Sequence, residues 1–214
     1  MTPVDLWALE KTAWEKGHTR IAGIDEAGRG PLAGPVVSAS VILPANVSFP
    51  GINDSKQLSP LKRIALYQLI YERAVSIGVG IVDAPEIDRI NILQASLLSM
   101  AMATDNLSPQ PDCLLIDGRF RIPYHLPQLA IPKGDTLSIS IAAASIVAKV
   151  TRDRMMEQYD LDYPEYGFSR HKGYPTRAHR EAIRTHGCCP IHRRSFRGVA
   201  PCDAPDHSSQ FPDE

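Results

Sequence analysis

Residues 21–35, IAGIDEAGRGPLAGP, constrain the fold more than any other stretch of this 214-residue chain. Residues 20–25 read as a β-branched apolar strand that ends on two adjacent carboxylates, Asp25 and Glu26, followed at once by Gly28-Arg29-Gly30. Packing alone does not explain acids at the end of a buried strand, because an ionised carboxylate is costly to remove from water without a partner or a metal ion. Adjacent strand residues point to opposite faces. Asp25 and Glu26 therefore reach one point through both side chains only if the strand is already turning; otherwise one coordinates by carboxylate and the other through its backbone carbonyl. Gly28 and Gly30 permit positive φ and close backbone approach, which suits a loop bringing N–H groups to a phosphate or sugar. A plain tight turn accounts for GRG equally well.

The rest of the chain alternates strand and helix signals. Residues 4–16 read as a short helix and 35–43 (PVVSASVIL) as a second strand. Residues 59–77 read as a helix with Leu61, Ala65, Leu69 and Ala74 near one face, and 78–82 as a short strand. Residues 85–103 read as one helix, 112–117 (DCLLID) as a buried strand, and 138–159 as a long helix. The small apolar run 141–150 (IAAASIVAKV) reads as core packed on the sheet. A further helix spans 175–185, with Pro175 in its first turn. Two hairpin-like strands followed by alternation imply an α/β domain with a mixed sheet. One catalytic domain is expected over 1–200, including a basic helical segment at about 160–200; the acidic, Pro-rich residues 201–214 are expected to be disordered.

The formal net charge of −1 argues on its face against a dedicated nucleic-acid binder. Its distribution argues otherwise. Residues 166–200 hold eight basic side chains (Arg170, Lys172, Arg177, Arg180, Arg184, Arg193, Arg194 and Arg197) against one acid, Glu181, a net of +7. Residues 201–214 hold four acids and no Lys or Arg. Such a basic segment is either a solvated helix face or a surface for a polyanion. No apolar run reaches transmembrane length and the N-terminus lacks a signal-peptide core, so a cytoplasmic protein is expected. Cys113, Cys188, Cys189 and Cys202 show no zinc or redox spacing and read as free thiols in a reducing compartment.

Two more acids end elements in the manner of Asp25. Asp117 closes the strand CLLID and Asp135 precedes the long helix. Taken singly, Asp117 starts a turn with Gly118 and Asp135 caps the helix. Taken together, the carboxylate positions suit a hard, oxygen-ligated ion such as Mg²⁺ or Mn²⁺. Two such ions, about 3.5–4 Å apart, activate a water and stabilise the leaving oxygen in phosphodiester hydrolysis.

Several motifs in order now carry a resemblance: IDEAGRGPLAGP, NDSKQLS, INILQASLLSM, LLIDG, KGD, SIAAASIVAKVTRDRMM, YGFSRHKGYPTRAH and HRRSF, from about residue 17 to 196. Over that span the chain resembles bacterial ribonuclease HII, the type 2 ribonucleases H. There is no room for the extra N-terminal domain of the related ribonuclease HIII. The resemblance implies a ribonuclease H-like fold, a mixed central sheet flanked by helices, with a helical C-terminal segment. It implies metal binding, by two ions during catalysis, at Asp25, Glu26, Asp117 and Asp135. It implies recognition of the ribose 2′-OH by Gly28, Arg29 and Gly30, with Tyr174 stacked on the following deoxyribose. The 2′-OH is the group that tells RNA from DNA at one nucleotide. Lys56, His171 and Lys172 are candidates for phosphate contacts, which position a duplex without reading its sequence, although Lys56 also reads as an ordinary exposed lysine. Arg193, Arg194 and Arg197 either bind the nucleic-acid backbone or cap the C-terminal helix.

The implied activity is endonucleolytic cleavage of the RNA strand of RNA–DNA hybrids and 5′ of single ribonucleotides in duplex DNA, leaving 3′-OH and 5′-phosphate ends. The expected partners are those nucleic acids, with no membrane and no obligatory protein partner, for a monomer. Two rivals use the same residues: a metal-dependent 3′–5′ exonuclease or phosphomonoesterase, and a nucleic-acid binding module without catalysis.

Overall fold

The computed structural model describes residues 5–52 and 58–199. Five strands form one sheet: β1 (Ile21–Ala27), β2 (Val36–Ile42), β3 (Ser76–Val82), β4 (Cys113–Asp117) and β5 (Gln128–Ile131), in the order β3-β2-β1-β4-β5. β1 pairs antiparallel with β2 and β2 with β3, whereas β1–β4 and β4–β5 are parallel. The mixed sheet expected from the alternation is therefore present. Among the described residues seven α-helices accompany it: α1 (Ala8–Glu15), α2 (Pro60–Arg73), α3 (Ala84–Ile90), α4 (Ile92–Asp105), α5 (Ile139–Asp162), α6 (Phe168–His171) and α7 (Arg177–His186).

α5 is the central helix. Its run of small residues, Ala142 to Ala144 and Ala148, packs with Ala39 and Val41 of the sheet in the largest apolar cluster, and α2 adds Leu66 and Ile70. The opposite face is closed by Met100 of α4 against Ala22, Ile24, Leu114 and Ile116. Where β1 crosses α5, no side chain fits: a Cβ on Gly23 would stand 2.1 Å from the Ser140 carbonyl carbon and 2.3 Å from the Ile141 nitrogen. The C-terminal segment is continuous with this body, because Met156 of α5 joins Leu32, Ala33, Tyr166, Phe168 and Ile183 in one cluster.

Several expected boundaries shift, each for a local reason. The single helix expected over 85–103 is two helices, broken at Asn91 (φ 68°, ψ 161°), whose Oδ1 accepts from Leu93 N at 3.0 Å and Gln94 N at 3.1 Å and so starts α4 afresh. The helix expected over 59–77 stops at Arg73, because Ser76 and Ile77 pair with Ile42 and Val41 and belong to β3. The central helix runs on to Asp162, with Ser138 as its N-cap. Pro175 lies before α7 rather than in its first turn; Thr176 is the N-cap, accepting from His179 N at 3.2 Å. The edge strand β5 was not foreseen, since four residues, of which only Ile131 is buried, carry no periodic signal. The expectation of four free thiols is corrected at one position: Cys113 and Cys189 are free, but Cys188 is disulfide-bonded, and Cys202 and the rest of 200–214 lie outside the described residues. Among the described residues no helix is long and apolar enough to cross a membrane.

The Gly23 crossing yields the first prediction. Gly23→Ala should lower the unfolding free energy by about 3 kcal/mol, read as a shifted urea midpoint at unchanged m-value, since backbone stands on the far side and cannot swing away.

Candidate active site

β1 and β4 lie side by side and parallel, and their pairing ends at Ile24 opposite Ile116, so Asp25 and Asp117 follow it side by side at the same end of the sheet. β1 does not turn at the acids: pairing with β2 continues through Glu26 and Ala27. The two carboxylates accordingly diverge. Asp25 is buried on the α5 side, where Ser145 hydrogen-bonds it. Glu26 also borders a small cavity with Ser96, Leu97 and Met100 of α4. Being next to the strand ends, both still reach a shared cavity of about 380 Å³ with Asp117, Gly28, Arg29, Gly30 and Tyr174. Arg63 of α2 and Ser145, Lys149 and Arg152 of α5 form its other wall.

Burial first, then Glu26 and Asp117, push the Asp25 carboxyl well above the usual carboxylate range, against the Ser145 hydrogen bond and the Glu26 N–H at 2.7 Å. Burial also raises Glu26, opposed by Arg29, whose Nη1 stands 3.2 Å from Glu26 Oε1. The second Glu26 oxygen is buried with no hydrogen-bond partner. Asp117 Oδ1 accepts from Gly134 N at 2.6 Å. Asp135 follows in the 3-10 helix Gly134–Thr136, almost fully buried and just behind Asp117 rather than lining the cavity. It is not the cap of α5, a position Ser138 holds.

This donor set fits a hard divalent cation. Asp25 and Glu26, both raised by burial and by the neighbouring Asp117 charge, and the unpartnered buried oxygen of Glu26 are relieved by a positive charge among the three carboxylates. Among the described residues no group of three or more His, Cys, Asp or Glu converges closely enough to hold a metal ion as it stands. An open carboxylate set is what Mg²⁺-type sites use, where waters and substrate phosphates complete the shell.

The other side of the cavity is built from backbone. Gly28 has φ +99°, and a Cβ there would meet Arg152 Nε at 2.1 Å. Arg193, fully buried, donates to the carbonyls of Gly28 (Nη2, 2.6 Å), Arg29 (Nη1, 3.1 Å) and Gly34 (Nε, 2.9 Å). In a trans peptide the N–H points opposite to its C=O, so the N–H groups of Arg29 and Gly30 are turned away from Arg193. Tyr174 is half-exposed beside this loop, its ring 3.6 Å from where a Gly30 Cβ would stand. Its turn is held by Arg152, which donates to the carbonyls of Lys172 (2.9 Å), Ala33 (3.1 Å) and Pro35 (3.0 Å). Burial lowers Arg152 to about 10 and Arg193 to about 9, which leaves both charged at neutral pH.

The candidate phosphate contacts fare differently. His171 uses both ring nitrogens internally, with Tyr166 O at 2.9 Å and Gly173 N at 3.2 Å, and Lys172 pairs with Glu157 at 2.7 Å. Lys56 lies outside the described residues. The open choice for the three arginines closes at Arg193, which binds this chain's own backbone; Arg194 and Arg197 are exposed. Sequence reasoning missed Arg63, Ser145, Lys149 and Arg152. A signal existed for three of them, since 145, 149 and 152 recur at helical spacing on one face, the first two inside the apolar run 141–150.

A family model described as Ribonuclease HII matches residues 22–199. Ribonuclease HII of Citrifermentans bemidjiense is 58% identical over 197 residues, covering 92% of this chain and 86% of the relative. That of Syntrophus aciditrophicus is 58% identical over 189 residues, covering 88% and 89%. Among solved structures, ribonuclease H2 from Pyrococcus horikoshii OT3 superposes with a TM-score of 0.71 at 29% identity, covering 85% of this chain and 95% of that one. A structure of the PCNA:RNase HII complex from Archaeoglobus fulgidus matches with a TM-score of 0.67 at 26% identity, covering 84% and 96%. Bst-RNase HIII, solved in complex with Mn²⁺, shares the fold at 23% identity and a TM-score of 0.62, over 84% of this chain and 68% of that one.

The raised Asp25 carboxyl sets a pH prediction. An acid whose folded pKa exceeds its unfolded value loses its stabilising contribution as pH rises through the folded value. Asp25→Asn should therefore stabilise the metal-free protein at pH 7, and the gain should vanish toward pH 4. Thermal melts in EDTA across that range check it.

Proposed function

We propose that this chain, which belongs to the ribonuclease HII family, incises duplex DNA 5′ of single embedded ribonucleotides as well as cutting long hybrids. Membership makes it a ribonuclease H, an enzyme acting on RNA–DNA hybrids with divalent metal. The observation that carries the finer reading is one cavity holding three carboxylates, the Gly28-Arg29-Gly30 backbone and the Tyr174 ring. A group that reads one sugar must sit within a nucleotide of the bond to be cut, and here the loop begins two residues after Glu26.

In this reading Asp25, Glu26 and Asp117 hold the ions, with Asp135 supporting from behind. Bound there, two divalent ions supply an activated water and neutralise charge on the departing 3′ oxygen. The loop backbone hydrogen-bonds the 2′-OH, and Tyr174 offers a flat face to the next deoxyribose, which lacks that hydroxyl. Arg29, Arg63 and Lys149 suit the flanking phosphates, the first and last while still paired with Glu26 and Asp153. The products are 3′-OH and 5′-phosphate ends. A trimming exonuclease or phosphomonoesterase has no use for a sugar-reading loop beside the acids, and a pure binding module no use for carboxylates that repel phosphates. The Archaeoglobus relative was solved as a complex with PCNA; in this chain the three carboxylates, the glycine loop and Tyr174 line one cavity.

The deciding assay compares a duplex carrying one ribonucleotide with an all-DNA control, in Mg²⁺ and then Mn²⁺. An internal cut 5′ of the ribonucleotide is expected, none in the control, and none after EDTA; stepwise trimming from an end would overturn the reading. Asp117→Asn should lower kcat by about a thousandfold or more while hybrid binding stays within about threefold. Tyr174→Ala should lower cutting at a lone ribonucleotide more than cutting of long hybrids, measured as the ratio of the two kcat/KM values.

A further inference from the structure

The turn that carries Tyr174 hangs from the core by its carbonyl groups. Lys172 O accepts from Arg152 at 2.9 Å and Gly173 O from Leu32 N at 2.8 Å. Tyr174 O accepts from Thr176 N at 2.8 Å and faces His179 Nδ1 at 3.0 Å. His179 is fully buried, and its other nitrogen meets His192 Nε2 at 3.1 Å. His192 is buried too, with Nδ1 3.0 Å from Cys189 N.

The Tyr174 carbonyl fixes the protons. A carbonyl oxygen can only accept, so the His179 proton sits on Nδ1 and is donated to Tyr174 O, which leaves His179 Nε2 as an acceptor. The proton between the two rings then belongs to His192 Nε2, and His192 Nδ1 accepts from Cys189 N at 3.0 Å, with Cys189 Sγ at 3.1 Å and Cys189 O at 3.3 Å. Cys189, His192, His179 and Tyr174 thus form one directional chain of hydrogen bonds. Aromatic rings lock it in place: Phe168 lies 5.5 Å from His179 and 5.7 Å from His192, and His171 stacks on His179 at 4.5 Å. Burial holds both His179 and His192 near a pKa of about 4, so both are neutral at pH 7 and the chain is intact. The next residue, Arg193, grips the Gly28 and Arg29 carbonyls, so one dipeptide, His192-Arg193, reaches both recognition groups.

The geometry points to His179 and His192 as positioning residues for junction discrimination, setting where the Tyr174 ring stands against the Gly30 edge of the loop. This inference rests on the junction role proposed for Tyr174. Neither histidine touches substrate. Losing the anchor leaves the turn in place on its other bonds but widens the range of the ring. A single embedded ribonucleotide permits one productive alignment and suffers; a continuous hybrid offers many registers and is buffered.

Asparagine places an amide nitrogen near the Nδ1 position of histidine and glutamine near Nε2. His179→Asn therefore keeps the donor to Tyr174, and His179→Gln loses it. With wild-type-like melting confirmed, His179→Gln should lower kcat on a duplex with one ribonucleotide about five- to tenfold, with KM and long-hybrid cleavage within about twofold. His179→Asn should stay within about twofold on both substrates. Equal losses in the two variants, or equal losses on the two substrates, would overturn the inference. Tyr174→Ala is run in parallel: no loss of selectivity there overturns the junction role itself, whereas loss in Tyr174→Ala without loss in His179→Gln overturns the histidine inference alone. Imidazole ¹⁵N shifts of the wild-type protein should show Nδ1–H on His179 and Nε2–H on His192. The opposite tautomers would overturn the inference even if His179→Gln failed to fold.

Discussion

The buried guanidinium groups of Arg152 and Arg193 bind backbone carbonyls where buried arginines more often meet carboxylates, and the recognition half of the cavity depends on that choice. Six carbonyls, from Gly28, Arg29, Ala33, Gly34, Pro35 and Lys172, converge on two side chains. Hydrogen bonds to a charged group contribute about 1.5–3 kcal/mol each, and removing the charge from water costs several kcal/mol, so the net stabilisation is modest. What the forks supply is geometry. A planar group with five fixed donors admits few arrangements of its acceptors. The loop after β1 and the segment after α5, more than a hundred residues apart in sequence, are held at one spacing and orientation.

That geometry explains which parts of the site were legible. Asp25 and Glu26 were visible because carboxylates ending an apolar run have no packing explanation, whereas Asp117 and Asp135, ordinary singly as a turn and a cap, stood out by converging with them. The placement of Asp25 and Asp117 followed from the strand pattern, and the family resemblance named the same residues. Arg193 could not be assigned, because its acceptors are backbone atoms 159 to 165 residues distant and leave no trace in side-chain pattern. The break at Asn91 was hidden for the converse reason. Ile87, Ile90, Gln94 and Leu97 keep a helical period straight through it, while one side-chain oxygen caps a new helix. Cap chemistry competes with propagation at the scale of about 1 kcal/mol, too little for periodicity to report.

β1 carries its two acids on opposite faces. Asp25 turns toward α5 and Glu26 toward α4, yet both border the cavity that Asp117 lines. Two residues later Gly28, at positive φ and pressed on Arg152, redirects the chain so that backbone, not side chains, faces the cavity. A side chain at Gly28 would collide with the fork that orients the loop. The glycine is therefore required by the arginine, and the tight-turn reading of GRG and its functional reading are one requirement.

Charge distribution completes the division. The basic segment over 166–200 counts +7 in sequence, yet its members do different work. Arg193 faces inward, Lys172 is tied to Glu157 and Arg184 to Glu181. Exposed arginines such as Arg177, Arg180, Arg194 and Arg197 remain to attract a duplex over roughly a Debye length of 10 Å at moderate salt. Inside the cavity the balance reverses, because Asp25, Glu26 and Asp117 repel a phosphate until a cation lies between. In the proposed function, attraction at long range thus belongs to the C-terminal surface and admission at short range to the carboxylates with their ions. Salt acts on the first and chelation on the second, so the two dependences are separable in one enzyme.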